Sequence, residues 1–186
     1  LSSNLVQNGD FSEEGVEEVS NGSFSQEGAE EITNGDFSVD GTLTTSSYTL
    51  GWYSPDSGLS ISDGKLIITN GASLGGRAYG TNGVNSISFL TSGKSYKLVY
   101  TIEENNDNAL VNYHNGGAYV TAPNTVGTHT IYYQAAGAIF ILRNSTENTT
   151  IKIDNVSVRE VIDNTNLPRI NYEGFSYDGS GNVVPD

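Results

Sequence analysis

The 186-residue chain contains no cysteine and no methionine. Without cysteine there is no disulfide framework, no thiolate metal site and no cysteine nucleophile. The first residue is Leu1 and methionine is absent throughout, so a processed or partial chain is expected. Basic residues are scarce, 8 against 22 acidic ones. With no basic stripe to release counterions from phosphates, nucleic acid is not an expected partner. No apolar run approaches the ~18 residues that a membrane helix needs, so no membrane insertion is expected. The start carries no signal-peptide pattern.

Catalytic vocabulary is equally sparse. The two histidines, His114 and His129, stand in no recognisable triad phrase. There is no phosphate-cradling loop and no His-rich cluster. Paired carboxylates could hydrolyse glycosides, but the acids gather in the leader and in "EENNDN" (103–108), which reads as a solvated hairpin loop. The chain is therefore expected not to be an enzyme.

What is present is unevenly distributed. Residues 1–33 hold eight acids and no Lys or Arg, whereas residues 34–160 hold ten acids and seven bases. An acidic leader thus precedes a nearly neutral middle. Residues 8–38 read "NGDFSEEGVEEVSNGSFSQEGAEEITNGDFS", one phrase stated three times. Asn8, Asn21 and Asn34 open the copies, giving a period of thirteen. Asn-Gly turns would pair Val19 with Phe24 and Ile32 with Phe37 across short hairpins. Each hairpin would bury too little to stand alone. Residues 1–33 are accordingly expected to form hairpin repeats, a stalk or an oligomerisation arm.

From residue 48 onward the pattern is strand after strand, rich in Gly, Asn, Ser, Thr and Tyr. In "LSISDGKLII" the Asp63-Gly64 turn pairs Ile61 with Leu66 and Leu59 with Ile68. "SYKLVYTIEE" sets Tyr96, Leu98, Tyr100 and Ile102 on one face and Lys97, Thr101 and Glu103 on the other. "AIFIL" (138–142) reads as a strand covered on both sides. In "TTIKIDNVSVRE" the alternation slips between Ile151/Ile153 and Val156/Val158, which predicts a bulge near Asp154-Asn155. About ten strands with short loops predict an all-β, antiparallel two-sheet sandwich over residues 34–160. Residues 161–186, with Pro168 and a Gly/Ser/Asn-rich end, read as a linker or the start of a further module.

The order of landmarks, "NGDFS" (34–38), "GWY" (51–53), "LTSGKSYKLVYTIEE" and "IKIDNVSV" (151–158), resembles carbohydrate-binding modules of the family 4/9 type, which are galactose-binding-like jelly rolls. The repeats and "NLPRINYEGF" also resemble tail-fibre and other virion appendage proteins of bacteriophages. The first resemblance implies a non-catalytic sugar-binding module with a structural calcium ion where the first and last strands meet. By position its ligands would come from Gly35, Asp36 and Asp154, since calcium accepts carboxylates and carbonyls at flexible geometry. The family often carries an acid after the Phe; Ser38 stands there and removes one ligand. The alternative is that Asp154 only hydrogen-bonds backbone exposed by the bulge.

Sugar binding calls for flat aromatic faces and for amide, hydroxyl or guanidinium groups. The candidates are Trp52, Arg77 and Tyr79 in the glycine-rich "GGRAYGTNG", and Asn112, Tyr113 and Tyr119 on two adjacent strands. Trp52 also fits a plug in the core, and Tyr96 and Tyr100 are expected to be core. Of Tyr132 and Tyr133, one should face in and one out. Two functions follow. One is recognition of a glycan or cell-surface polysaccharide by a virion or extracellular appendage. The other is a purely structural fibre or decoration spacer that binds only protein. Self-association into a homo-oligomer is expected, a trimer being one arrangement this allows, and the spacer reading depends on it.

Overall fold

A computed structural model describes residues 19–20, 27–44, 50–71, 75–83, 86–162, 169–170, 175–177 and 183–185. Strands are numbered along the chain. Contacts divide it into two units. In the smaller, β1 (Val19–Ser20) pairs antiparallel with β14 (Arg169–Ile170), and β15 (Phe175–Tyr177) pairs with β16 (Val183–Pro185). The tail, read as a linker or the start of a further module, contains short strands. The predicted Val19–Phe24 hairpin lies outside the described residues.

The larger unit, Glu27–Ile162, is the expected all-β sandwich of two antiparallel sheets, with no helix among its described residues. One sheet has five strands: β4 (Trp52–Tyr53), β7 (Arg77–Gly80), β9 (Val111–His114), β10 (Tyr119–Thr121) and β12 (Ile141–Asn144). Their order is β10-β9-β12-β7-β4. The other comprises β2 (Glu27–Glu30), β3 (Gly41–Thr42), β5 (Leu59–Ser62), β6 (Lys65–Asn70), β8 (Ser95–Glu104), β11 (Gly127–Gln134) and β13 (Thr149–Val161). Its order is β11-β8-β13-β6-β5-β3, with β2 added along the far half of β13.

Side-chain alternation explains how the sheets close on each other. Leu59 pairs with Ile68 and Ile61 with Leu66, the predicted register. Asp63 and Gly64 both take positive φ, 53° and 69°, which the two-residue turn needs. Tyr96, Leu98, Tyr100 and Ile102 are all buried on one face of β8. Along β13 the pairing with β8 shifts register between Asp154 and Ser157, and Asn155 has φ 52°. That bulge lets Ile151, Ile153, Val156 and Val158 all point into the core. Tyr133 is buried while Tyr132 is 68% exposed.

The third copy of the repeat folds differently from expectation. It makes a turn, with no hairpin between Ile32 and Phe37. Asn34 and Phe37 both sit at positive φ, 52° and 50°, and no strand can run through them. The strand is β2, from the body of the second copy, and it pairs with β13, not with its sequence neighbour. The sandwich therefore begins at Glu27 instead of residue 34. Asn34 Nδ2 donates to the Leu50 carbonyl (2.8 Å), and its Oδ1 accepts from Val39 N–H (3.1 Å). Its own carbonyl accepts the Trp52 indole N–H at 3.1 Å. Phe37, fully buried, packs on Trp52 with ring centroids 5.4 Å apart. Burying two such rings contributes several kcal/mol, at roughly 1.5–3 kcal/mol for a large apolar side chain. The phrase "NGDF" is thus a plug that closes the start of the sandwich.

Candidate functional site

The outer face of the five-stranded sheet carries two rows of side chains running across the strands. Cross-strand register aligns Tyr119 with His114, His114 with Ile141, Ile141 with Tyr79, and Tyr79 with Tyr53. Two residues along, register aligns Thr121 with Asn112, Asn112 with Arg143, and Arg143 with Arg77. The first row is mainly aromatic and the second polar. At about 4.8 Å per strand the aromatic row is about 19 Å long.

Within the aromatic row, Tyr53 and Tyr79 meet edge to face with centroids 5.4 Å apart. His114 and Tyr119 do the same at 4.9 Å. Between the pairs lies Ile141, only 4% exposed, as an apolar floor. His114 Nδ1 accepts the Gly116 N–H at 3.1 Å, so in the neutral ring Nε2 carries the hydrogen and is the donor. Burial first, and then neighbouring Tyr79, push the Tyr119 phenol above its usual range, so it stays a neutral hydroxyl.

In the polar row, Arg77 is held by Asp56, from the loop after β4. Arg77 Nε and Nη2 donate to the two carboxylate oxygens at 2.9 and 2.7 Å, and the Arg77 backbone N–H adds a third bond at 3.0 Å. The Asp56 side chain is 11% exposed. Fully buried Ser54 sets its loop, accepting the Asp56 N–H at 3.0 Å and donating to the Asp56 carbonyl. Burial alone would raise the Asp56 carboxyl. The Arg77 hydrogen bonds and charge, with the Arg143 charge, outweigh burial and hold it below the usual aspartate range. Arg143 instead lies over the Tyr119 ring, its guanidinium carbon 5.0 Å from the centroid. Asn112 Nδ2 reaches Thr121 Oγ1 at 3.4 Å.

Of the residues singled out in the sequence, Arg77, Tyr79, Asn112 and Tyr119 meet on this face. Trp52 and Tyr113 do not. They have the opposite parity on β4 and β9 and are buried, Trp52 at 0% and Tyr113 at 5% exposure. Trp52 is the core plug, and Tyr113 packs on Tyr133 with centroids 5.1 Å apart. Tyr53, Asp56, His114, Thr121, Ile141 and Arg143 join the face without having been picked out. Parity with Arg77, Tyr79 and Asn112 could have found Tyr53 and His114 once strand order was known.

The residues expected to hold calcium do not assemble a ligand set. The Gly35 carbonyl accepts the Val156 N–H at 2.8 Å. Asp36 Oδ1 accepts the Ser38 hydroxyl at 3.1 Å, and Asp154 Oδ1 accepts the adjacent Asn155 N–H at 2.7 Å. The groove that Gly35 and Asp36 line is also lined by the Glu30–Arg159 ion pair, and Asp154 is not part of its lining. No group of three or more His, Asp or Glu side chains suited to a metal occurs among the described residues. Among the same residues no helix is long and apolar enough to cross a membrane.

No family model matches the chain, and neither does any curated protein. Among solved structures it is similar to a CBM4 module, at 17% identity and a TM-score of 0.47, covering 69% of this chain and 99% of that one. It is also similar to the N-terminal cellulose-binding domain of β-1,4-glucanase C from Cellulomonas fimi, at 19% identity and a TM-score of 0.38 over 61% of this chain and 91% of the other. A third is a variant of CBM29-2 complexed with cellulohexaose, at 14% identity and a TM-score of 0.40 over 67% and 92%.

Proposed function

We propose that the outer face of the five-stranded sheet binds a glycan chain laid across the strands. The observation that carries this reading is the pairing of an aromatic row with a parallel polar row on one face. The C–H side of a pyranose stacks on Tyr79 and Tyr53, and hydroxyl groups meet His114 Nε2–H, Asn112, Thr121 and the exposed edge of Arg77. The length of the row suits an oligosaccharide better than a single sugar. The face is read as non-catalytic, because Asp56 is already bound by Arg77 through both oxygens and is held ionised, unable to serve as a general acid.

The test is titration of the full chain against a glycan array, followed by calorimetry on any hit. Tyr79→Ala and Tyr53→Ala are each expected to weaken binding at least tenfold, the size of an aromatic anchor's contribution, without changing the thermal transition by more than a few degrees. Absence of any bound glycan at millimolar ligand, or binding indifferent to both substitutions, would refute the reading and favour the spacer.

We extend the proposal to a virion or other extracellular setting, in which the acidic leader mediates self-association. The threefold phrase and "NLPRINYEGF" support this. Deleting residues 1–26 is expected to keep the sandwich's thermal transition and lower the oligomeric order seen by light scattering. Deleting residues 1–33 also removes β2, buried Ile32 and the Thr33 N–H bond to the Thr81 carbonyl (2.8 Å), and should abolish the transition. Monomers from both the full chain and the 1–26 deletion would count against an oligomerisation arm.

A further inference from the structure

We infer that the glycan taken by this face is acidic, and that Arg143 receives its anionic group, a uronate carboxylate or a sulfate ester. This rests on the glycan reading above. Arg143 and Arg77 are direct cross-strand partners, a like-charge pairing that disfavours the sheet unless compensated. Asp56 hydrogen-bonds only one of them, binding Arg77 through both oxygens, and meets Arg143 by charge alone. Arg143 is left with the Tyr119 ring beneath it, and its Nε is buried with no hydrogen-bond partner. A buried donor on a charged group is costly to leave unmade.

The want of a partner is not a shortage of acids in a chain with 22 of them. Among the described residues, Arg77, Lys94, Lys97, Lys152 and Arg159 each have a carboxylate. Lys65 donates to the Asp63 carbonyl. The positions beside Arg143 on the polar row are Asn112 and Arg77, so the row offers it no acid. Stacking on Tyr119 orients the guanidinium, and its planar fork matches carboxylate or sulfate oxygens two at a time. The sandwich, residues 27–162, holds thirteen acids and seven bases, so it carries less than half of the chain's net charge of −14. An acidic sugar therefore completes the charge of the row.

The test uses the full chain and a panel of polygalacturonate, alginate, hyaluronan and chondroitin sulfate. Each is paired with its carboxyl-reduced counterpart, chondroitin sulfate also with a desulfated and with a desulfated and carboxyl-reduced one, and binding is measured at low and high salt. At least one acidic member should bind tenfold or more tighter than its neutral counterpart, with the ratio falling as salt rises. The pair showing the preference identifies carboxylate or sulfate. In Arg143→Gln the acid-to-neutral ratio should fall to about one, and in Arg143→Lys, which keeps the charge without the fork, to an intermediate value. Glycans bound at a ratio near one by the unaltered chain, or a preference surviving in Arg143→Gln, would overturn this inference alone. No binding to any member of the panel would overturn this inference, and an empty glycan array beside it would overturn the glycan reading as well.

Discussion

Replacing Gly35 with alanine is expected to unfold the sandwich, or to lower its stability by more than about 4 kcal/mol, beyond the range of ordinary substitutions. The reason is steric and backbone-on-backbone. A Cβ at Gly35 would lie far inside contact distance of the Val156 carbonyl oxygen on the bulge of β13. Neither partner is a flexible side chain that could turn away. Relief requires moving the turn off the strand, which breaks the Val156 N–H bond to the Gly35 carbonyl (2.8 Å) and displaces Asn34, whose carbonyl holds the Trp52 indole. The measurement is urea unfolding followed by intrinsic fluorescence. Gly22→Ala, the equivalent change in the second copy of the phrase, lies outside Glu27–Ile162. It is expected to shift the sandwich's transition by no more than about 2 °C, the size of a neutral surface change. Similar small effects at both glycines would mean that the third copy has no special place in the fold.

Trp52→Ala is expected to cost about 4 kcal/mol, within the range of a buried Trp truncation. The side chain is fully buried against Phe37, and its loss also strands the Asn34 carbonyl it satisfies. At temperatures where the variant remains folded, glycan affinity should stay within about threefold, because the indole points away from the outer face. Tyr79→Ala should show the reverse, intact stability and weakened binding. A Trp52 variant that lost binding while losing less than about 1 kcal/mol of stability would return Trp52 to the ligand face.

Much of the architecture was legible because local chemistry dictated it. The Asp63-Gly64 turn fixed the register of the β5–β6 hairpin, since only a two-residue turn tolerating positive φ fits there. The slip in apolar parity along β13 located its bulge, because a core-facing strand cannot change face without an extra residue. The second and third repeats misled where local chemistry did not decide. "EGAE" has poor strand formers, and it becomes β2 only through pairing with β13, a tertiary effect. The ring of Phe37 suggested a strand, whereas its positive φ belongs to a turn.

The candidate face was half legible. Arg77 and Tyr79 share parity on one strand and were found together. Asn112 and Tyr113 are consecutive and cannot share a face, and Val111 already marked the parity of Tyr113 as inward. Arg143 sits at the end of an apolar run, where nothing local signals that Arg77 and Asn112 will be its neighbours. That knowledge requires the order β9-β12-β7, which joins segments far apart in the chain.

The pairing of β2 with β13 sets Glu27 opposite Val161, so the two ends of the sandwich leave from the same place. Tension applied through those ends would not shear the sheets across their length. It would peel one antiparallel pair apart, starting at Glu27 and Val161 and reaching Glu30 and Arg159 next. The Gly35–Val156 junction would then stand as the second latch. As a bead on a longer thread, such a domain would yield gradually at its seam before its outer face felt the load.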